Sequence, residues 1–451
     1  MPLFSRSTPA KRIASWFIAA IIIGSVLLSL PISVKAGRLP FVDALFTATS
    51  AVCVTGLAVV NTADTFSIFG QIVILILIQL GGLGLMIFST LFFMMVSGRV
   101  SISHRMSVKE IFTPEGGTQL TTILKATFLL TFIVETVGTV LLMIPFSAKM
   151  GIGEAFYCAI FHSVSAFCNA GFSILPGGLS EYHNSVTTLL SISLLVIIGG
   201  IGFAVVSEVT ERLKNRSTRK PFSLHAKIVI NATIILLLSG TILFYLLESN
   251  SAFAAYSPVM KIVHSFFQSV TTRTAGFDAV NLNMFSNVSI IIMTAFMIIG
   301  GSPGSTAGGI KTTSFVIVIA TIISRMKGSA GVNIYKRTVG DESVIKAISI
   351  LILAAIVIFG ATILLMMIDN DFLPHSISPG AAIDYFFETV SAFGTVGLSL
   401  GITPLLNSAG KLLLVLVMFT GRVGILTVAY MIAKPEGADK LVYSEENVMI
   451  G

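Results

Sequence analysis

In a chain of 451 residues, 54% hydrophobic residues, 11% charged residues and a mean hydropathy of +0.94 amount to far more apolar side chain than a soluble core of that size can bury. This excludes a soluble enzyme or binding domain and leaves a polytopic membrane protein. The net charge of +7 does not speak for nucleic acid, because the basic residues concentrate in five regions (up to residue 12, 97–119, 211–227, 325–346 and beyond 433) that alternate with segments nearly free of them, and the positive-inside bias puts all five and both termini in the cytoplasm.

The first unit, residues 1–96, opens with Lys11 and Arg12 ahead of an apolar run from Ile13 to Ile32. At about 20 residues the run is longer than a signal-peptide core, so it reads as a membrane helix over 13–34, with Pro31 where a helix can stop. A short segment, 41–50, leads into Val54-Thr55-Gly56 and an inner helix over 66–96. The basic, amphipathic stretch 97–119 follows, suited either to a partner surface or to anionic headgroups. The second unit, 120–213, repeats the order: a helix over 120–146 ending near Pro145, a short segment 154–165, Asn169-Ala170-Gly171, and an inner helix over 186–212. After a cytoplasmic loop, 214–226, the third unit (227–326) has a helix over 227–248, a short segment 258–270, Thr274-Ala275-Gly276 and an inner stretch over 285–326. A loop, 327–343, leads to the fourth unit (344–433): a helix over 344–368, a short segment 381–391, Thr395-Val396-Gly397, an inner helix over 405–433, then a tail, 434–451.

A Phe stands ten residues before each of these glycines (Phe46, Phe161, Phe266, Phe387), and the glycines are 115, 105 and 121 residues apart. The short segments cannot span a ~30 Å hydrocarbon layer, so each dips in and turns back at its glycine. The predicted fold is an all-α polytopic membrane protein of four tandem membrane–pore–membrane repeats, with eight spanning helices and four re-entrant pore loops around a pseudo-fourfold pore. A ring of backbone carbonyls contributed by four such turns suits a dehydrated potassium ion, and Thr395-Val396-Gly397 is half of the K⁺-channel filter string. The predicted ion-binding residues are Val54, Thr55, Gly56, Asn169, Ala170, Gly171, Thr274, Ala275, Gly276, Thr395, Val396 and Gly397, with the Thr274 and Thr395 hydroxyls at the inner edge. Asp43, Glu154 and Asp384, at the starts of the short segments, either enrich cations or cap helices.

The inner helices carry Gly81-Gly82, Gly199-Gly200, Gly300-Gly301 and Thr420-Gly421, which read as close helix packing in three units. The third differs. Gly300 to Lys311, with Gly301, Ser302, Gly304, Ser305, Gly308 and Gly309, cannot hold a regular helix and predicts a flexible gating loop below the carbonyl ring, with helix resuming at Thr312. Arg422 lies in an otherwise uncharged apolar run and faces either Glu135, in an intramembrane ion pair, or the permeation path, as part of the gate. Arg273 is expected to brace its turn from behind through carbonyls or Glu388, and His162, His264 and Asn231 to pack as polar residues. Cys53, Cys158 and Cys168 read as buried small residues rather than a disulfide or metal set. No catalytic constellation is present, so the chain is not expected to be an enzyme.

With four such units and an Arg in the last inner helix, the chain resembles the Trk/Ktr/HKT superfamily of K⁺ transporters along its whole length, closest to the KtrB-type membrane subunits of bacteria. The resemblance implies K⁺ uptake across the bacterial plasma membrane, a homodimer with one pore per subunit, activation by Na⁺, and no organic cofactor on this chain. It also implies a cytoplasmic KtrA-like ring of RCK/KTN-type nucleotide-binding subunits. In keeping with a separate regulator, Gly82-x-Gly84 and Gly200-x-Gly202 fall short of a dinucleotide fingerprint. The family's gating loop maps onto 300–311 and its gate Arg onto Arg422. The turns lack the Tyr-Gly that follows in tetrameric K⁺ channels, which predicts fewer ordered sites. The alternative is a K⁺/Na⁺ symporter with alternating access, for which Glu135 is the lone candidate carboxylate.

Overall fold

The computed structural model describes residues 9–84, 120–214, 221–329, 331–369 and 380–432. The stretch 97–119, the tail 434–451 and the second half of the inner helix predicted over 66–96 lie outside the described residues. The described residues are mostly helical. In chain order the described α-helices of eight or more residues are α1 (Pro9–Ser29), α2 (Phe41–Cys53), α3 (Ile68–Leu83), α4 (Leu120–Ser147), α5 (Ile152–Phe167), α6 (Val186–Ile201), α7 (Phe203–Lys214), α8 (Leu224–Glu248), α9 (Pro258–Thr271), α10 (Asn287–Ile298), α11 (Thr312–Met326), α12 (Asp341–Ile368), α13 (Ala381–Gly394), α14 (Ser408–Val423) and α15 (Ile425–Ile432).

The long helices show their apolar side outward. On α4, Phe132, Val137, Val140 and Ile144 are exposed, as are Ile235, Leu238, Ile242 and Leu246 on α8 and Ile352, Ile356, Phe359 and Ile363 on α12. Such stripes at helical spacing face lipid, not water. By length and composition, three of the described helices can cross a membrane, or five if each bent pair is one span.

The inner helices start at side-chain caps. Ser67, Ser185, Ser286 and Asn407 accept from the backbone N–H groups of Gly70, Thr188, Ser289 and Gly410. Their ends depart from the continuous helices predicted. α6 and α7 meet at 99°, and α14 and α15 at 105°. The breaks fall at Gly202 (φ +97°) and Gly424 (φ +95°), and α3 stops likewise at Gly84 (φ +82°). At these angles a side chain would clash with its own backbone, so only glycine turns the chain there cheaply. In the third unit helix stops at Ile298 and resumes at Thr312.

Among the described residues, one hairpin is not helical. Val332–Ile334 pairs antiparallel with Arg337–Val339, in register Val332 to Val339, so the loop 327–343 holds a hairpin the all-α reading lacked. Tyr335 and Lys336 both take positive φ, the geometry of a two-residue hairpin turn without its usual Asn-Gly.

The core lies where the short helices converge. Each packs against its own long helix: α2 on α1, α5 on α4, α9 on α8, and α13 on α12. Each also packs on the inner helix of the preceding unit: α5 on α3, α9 on α6, α13 on α10, and α2 on α14. The last of these contacts closes a circle.

Candidate functional site

Each short helix ends in the same backbone turn. Val54, Asn169, Thr274 and Thr395 take left-handed φ of 58°, 60°, 70° and 50°, and the glycines two residues on take 92°, 68°, 72° and 97°. The amides between them point back at the helix. The N–H groups of Thr55, Ala170 and Val396 donate to the carbonyls of Ser50, Ser165 and Ser391 at 2.8, 2.7 and 2.8 Å, and that of Ala275 to Thr271 at 3.0 Å. In a trans peptide the carbonyl opposes its N–H, so the oxygens of Val54, Asn169, Thr274 and Thr395 face away from their helices. The same holds for Thr55 and Val396, since Gly56 and Gly397 donate to the Ser50 and Ser391 hydroxyls at 3.1 Å.

The glycines interlock in order. A β-carbon on Gly56 would stand 2.5 Å from the Ala170 carbonyl oxygen, and one on Gly171 2.8 Å from that of Ala275. On Gly276 it would collide with the Val396 carbonyl, and on Gly397 with that of Thr55. All twelve predicted turn residues therefore meet around one centre. A cavity of about 300 Å³ opens onto all four glycines, with Asn61, Thr62, Ser173, Asp278, Ser399 and Thr403 on its walls. Asp278 is exposed to this cavity yet closely surrounded by protein, which pushes its carboxyl above the ordinary range.

Side chains at the turns divide. Thr395 Oγ1 is buried without a hydrogen-bond partner, as is Thr55 Oγ1. Thr274 is engaged instead. With its amide carbonyl turned toward Thr274, Asn169 accepts from that hydroxyl at 3.3 Å and donates to the carbonyls of Val196 and Ala166, so its side chain lies back against α6.

On the other side of the ring, the 300–311 loop is tightly bonded rather than open. Gly300 donates to Ile310 at 2.8 Å, Thr312 to Gly301 at 3.1 Å, and Lys311 Nζ to Ala307 at 2.7 Å. Ser302 donates to Gly200 at 3.0 Å, and Phe203 to Gly304 at 3.0 Å, which ties the loop to the bend between α6 and α7. Ser305 donates through Oγ to Ser302, and Gly308 and Gly309 abut Thr395 and Gly394. Arg422 crosses beneath, donating to the carbonyls of Thr306 in the loop and Gly81 on α3. The predicted loop residues and Arg422 are thus brought together. The ion pair with Glu135 is not formed: Glu135 accepts from Gln79 Nε2 at 2.9 Å.

Four expectations need correction. Gly81, Gly199 and Gly421 each sit against a carbonyl in the last turn of the short helix (Val52, Phe167, Phe393), three residues before their bend glycines. The fourth-unit counterpart of Gly81-Gly82 is therefore Gly421-Arg422, not Thr420-Gly421. In the third unit the buried ring is Phe267, with Phe266 half-buried, and Thr271 supports the turn where the other units use a Ser six residues before glycine. One residue fewer connects helix and turn there. Arg273 is buried with Nε unpartnered and does not bond Glu388, whose oxygens accept from Ser399 at 2.8 Å and from Thr403. Asp43 neither caps nor stands free but accepts from Lys411 Nζ at 2.7 Å. The supporting hydroxyls, Ser50, Ser165, Thr271 and Ser391, were missed, although a Ser six residues ahead of three glycines was there to be seen. Cys53, Cys158 and Cys168 are free thiols and buried, as expected.

Helices with apolar outer faces around a centre of inward-turned backbone oxygens make this an integral membrane protein of the transporter class. The chain matches the family model described as "TrkH: Cation transport protein" over residues 8–442, and it belongs to that family. It is 37% identical to the Ktr system potassium uptake protein B of Bacillus subtilis (strain 168), over 99% of this chain and 97% of that one. It is 35% identical to the potassium/sodium uptake protein NtpJ of Enterococcus hirae, over 99% and 98%. Among solved structures it is similar to the potassium transporter TrkH from Vibrio parahaemolyticus, with a TM-score of 0.75 at 17% identity, covering 96% of this chain and 87% of that one.

Proposed function

We propose that this chain is the K⁺-translocating membrane subunit of a bacterial Ktr-type uptake system, in which four membrane–pore–membrane repeats, with eight spanning helices, surround one gated, channel-like path. The observation that carries this reading is the closed circle of glycines, each lodged against the next unit's carbonyl. Neutral carbonyl dipoles replace the water of a dehydrated ion without trapping it. K⁺ moves inward down the membrane potential, which supplies ~2.3 kcal/mol per charge per 100 mV. The loop 300–311, held under the ring by Arg422, acts as the gate. The relatives' Ktr names support a partner subunit, which we take to be a cytoplasmic RCK/KTN-type nucleotide-binding ring on a homodimer of this chain with cytoplasmic termini. The printed name of NtpJ, a potassium/sodium uptake protein, supports Na⁺ as an activator. Alternating-access symport finds less support, because its one candidate carboxylate, Glu135, is engaged by Gln79.

Reversal potentials in planar bilayers holding the purified protein test the reading. They are expected to follow the K⁺ gradient as Na⁺ is varied. A fixed Na⁺:K⁺ stoichiometry would overturn the channel mechanism.

A further inference from the structure

The residue two places beyond each turn glycine differs among the units: Ala58, Ser173, Asp278 and Ser399, all on the wall of the cavity above the ring. Ser173 is strapped to its own short helix. His162 Nδ1 lies 2.7 Å from the Cys158 carbonyl, so that nitrogen carries the hydrogen, and Nε2 accepts the Ser173 hydroxyl at 2.8 Å. Ser399 is strapped in the same way, donating to Glu388 at 2.8 Å. Ala58 has nothing to offer. In the third unit the one-residue register change places Gln268 where His162 and Glu388 stand, and its amide donates to Met293 Sδ at 3.3 Å instead. No side-chain strap reaches Asp278 among the described residues, and it is the one carboxylate on the cavity wall.

Resting on the permeation path read above, we propose that Asp278 makes this cavity a cation-binding antechamber, a site for a hydrated monovalent or divalent cation one step before dehydration at the ring. The cavity walls are protein, which concentrates the field of a single fixed charge. The strapped hydroxyls of Ser173 and Ser399 are held in place to receive the ion's water shell. A divalent ion feels the carboxylate twice as strongly as K⁺ but gives up its water reluctantly, Mg²⁺ above all. It therefore occupies the antechamber without passing and competes with the permeant ion.

The test is ⁸⁶Rb⁺ uptake by proteoliposomes at pH 8, with external Mg²⁺ varied. Wild-type uptake is expected to be inhibited competitively by Mg²⁺. Asp278→Asn should raise the half-inhibiting Mg²⁺ by about 25-fold and the half-saturating Rb⁺ by about fivefold, the factors for a unit charge at ~4 Å in water acting on a divalent and a monovalent ion. Asp278→Glu should keep most of both. Moving the charge to the first unit, with Ala58→Asp in the Asp278→Asn background, should restore Mg²⁺ competition. Unchanged Mg²⁺ and Rb⁺ dependence in Asp278→Asn would overturn the site. So would equal losses in Asp278→Glu, which would make the role structural. Where Asp278→Asn does not reach the membrane, Ala58→Asp alone must heighten Mg²⁺ sensitivity, and no change there would overturn the proposal. Failure of the permeation reading looks different: Mg²⁺ would still bind, but Rb⁺ flux would show the fixed Na⁺ coupling of a symporter.

Discussion

Arg422 does with one side chain what the rest of its helix cannot. Its guanidinium reaches the Thr306 and Gly81 carbonyls together, joining the broken loop of the third unit to α3 of the first. Two donors held at fixed geometry suit guanidinium, whereas an ammonium is a point charge on a flexible stem. A hydrogen bond from a charged donor is worth about 1.5–3 kcal/mol, so loss of even one favours release of the loop by at least about tenfold. Arg422→Ala is accordingly expected to raise ⁸⁶Rb⁺ flux about tenfold or more, and Arg422→Lys to give an intermediate rise, because one amine serves one carbonyl well. Equal flux in the wild type and both variants would remove Arg422 from the gate.

At the scale of elements, the inner helices differ most from what their sequence suggested. Gly84 and Gly202 were visible only as parts of failed nucleotide fingerprints, because apolar residues on both sides of each continue a helical pattern that says nothing about φ. The string Gly300–Lys311 was legible for the opposite reason: so many glycines and a proline oppose helix by propensity alone. The four turns were legible through repetition, since no single Gly tripeptide is informative. The register change in the third unit was not, as adjacent Phe266 and Phe267 satisfy the spacing equally well and only packing chooses between them. The hairpin at 332–339 escaped because three-residue strands around Tyr-Lys lack a turn signal. The bends carry their own prediction. At φ +95° Gly424 occupies backbone space that side chains scarcely enter, so Gly424→Ala should straighten the junction of α14 and α15 toward a continuous helix. Spin labels on α15 and α12 should then report a shift of several ångströms in double electron–electron resonance, on the order of the ~5 Å rise of a helical turn. An unshifted distance would mean that packing, not glycine, holds the angle.

For the molecule as a whole, the circle of short helices α2, α5, α9 and α13 has a seam where α14, late in the chain, meets α2, near its start. No covalent connection spans it, so side chains must. Lys411 on α14 and Asp43 on α2, 2.7 Å apart with each side chain 14% exposed, form the ion pair across that seam. Low exposure limits the screening that makes surface pairs nearly worthless, while removal of one partner strands a charge in a half-buried place. The pair therefore aligns the seam more than it adds net stability, and the single and double variants separate these two effects. Asp43→Asn or Lys411→Met alone should cost about 1.5–3 kcal/mol, the range for a hydrogen bond to a charged group, seen as a lower thermal unfolding midpoint in detergent. Asp43→Leu with Lys411→Met should recover most of that loss, since two apolar side chains leave no charge unpaired. If instead the two single losses simply added in the double variant, the ion pair would carry no coupling, and closure of the circle would rest on the apolar contact of α2 with α14 alone.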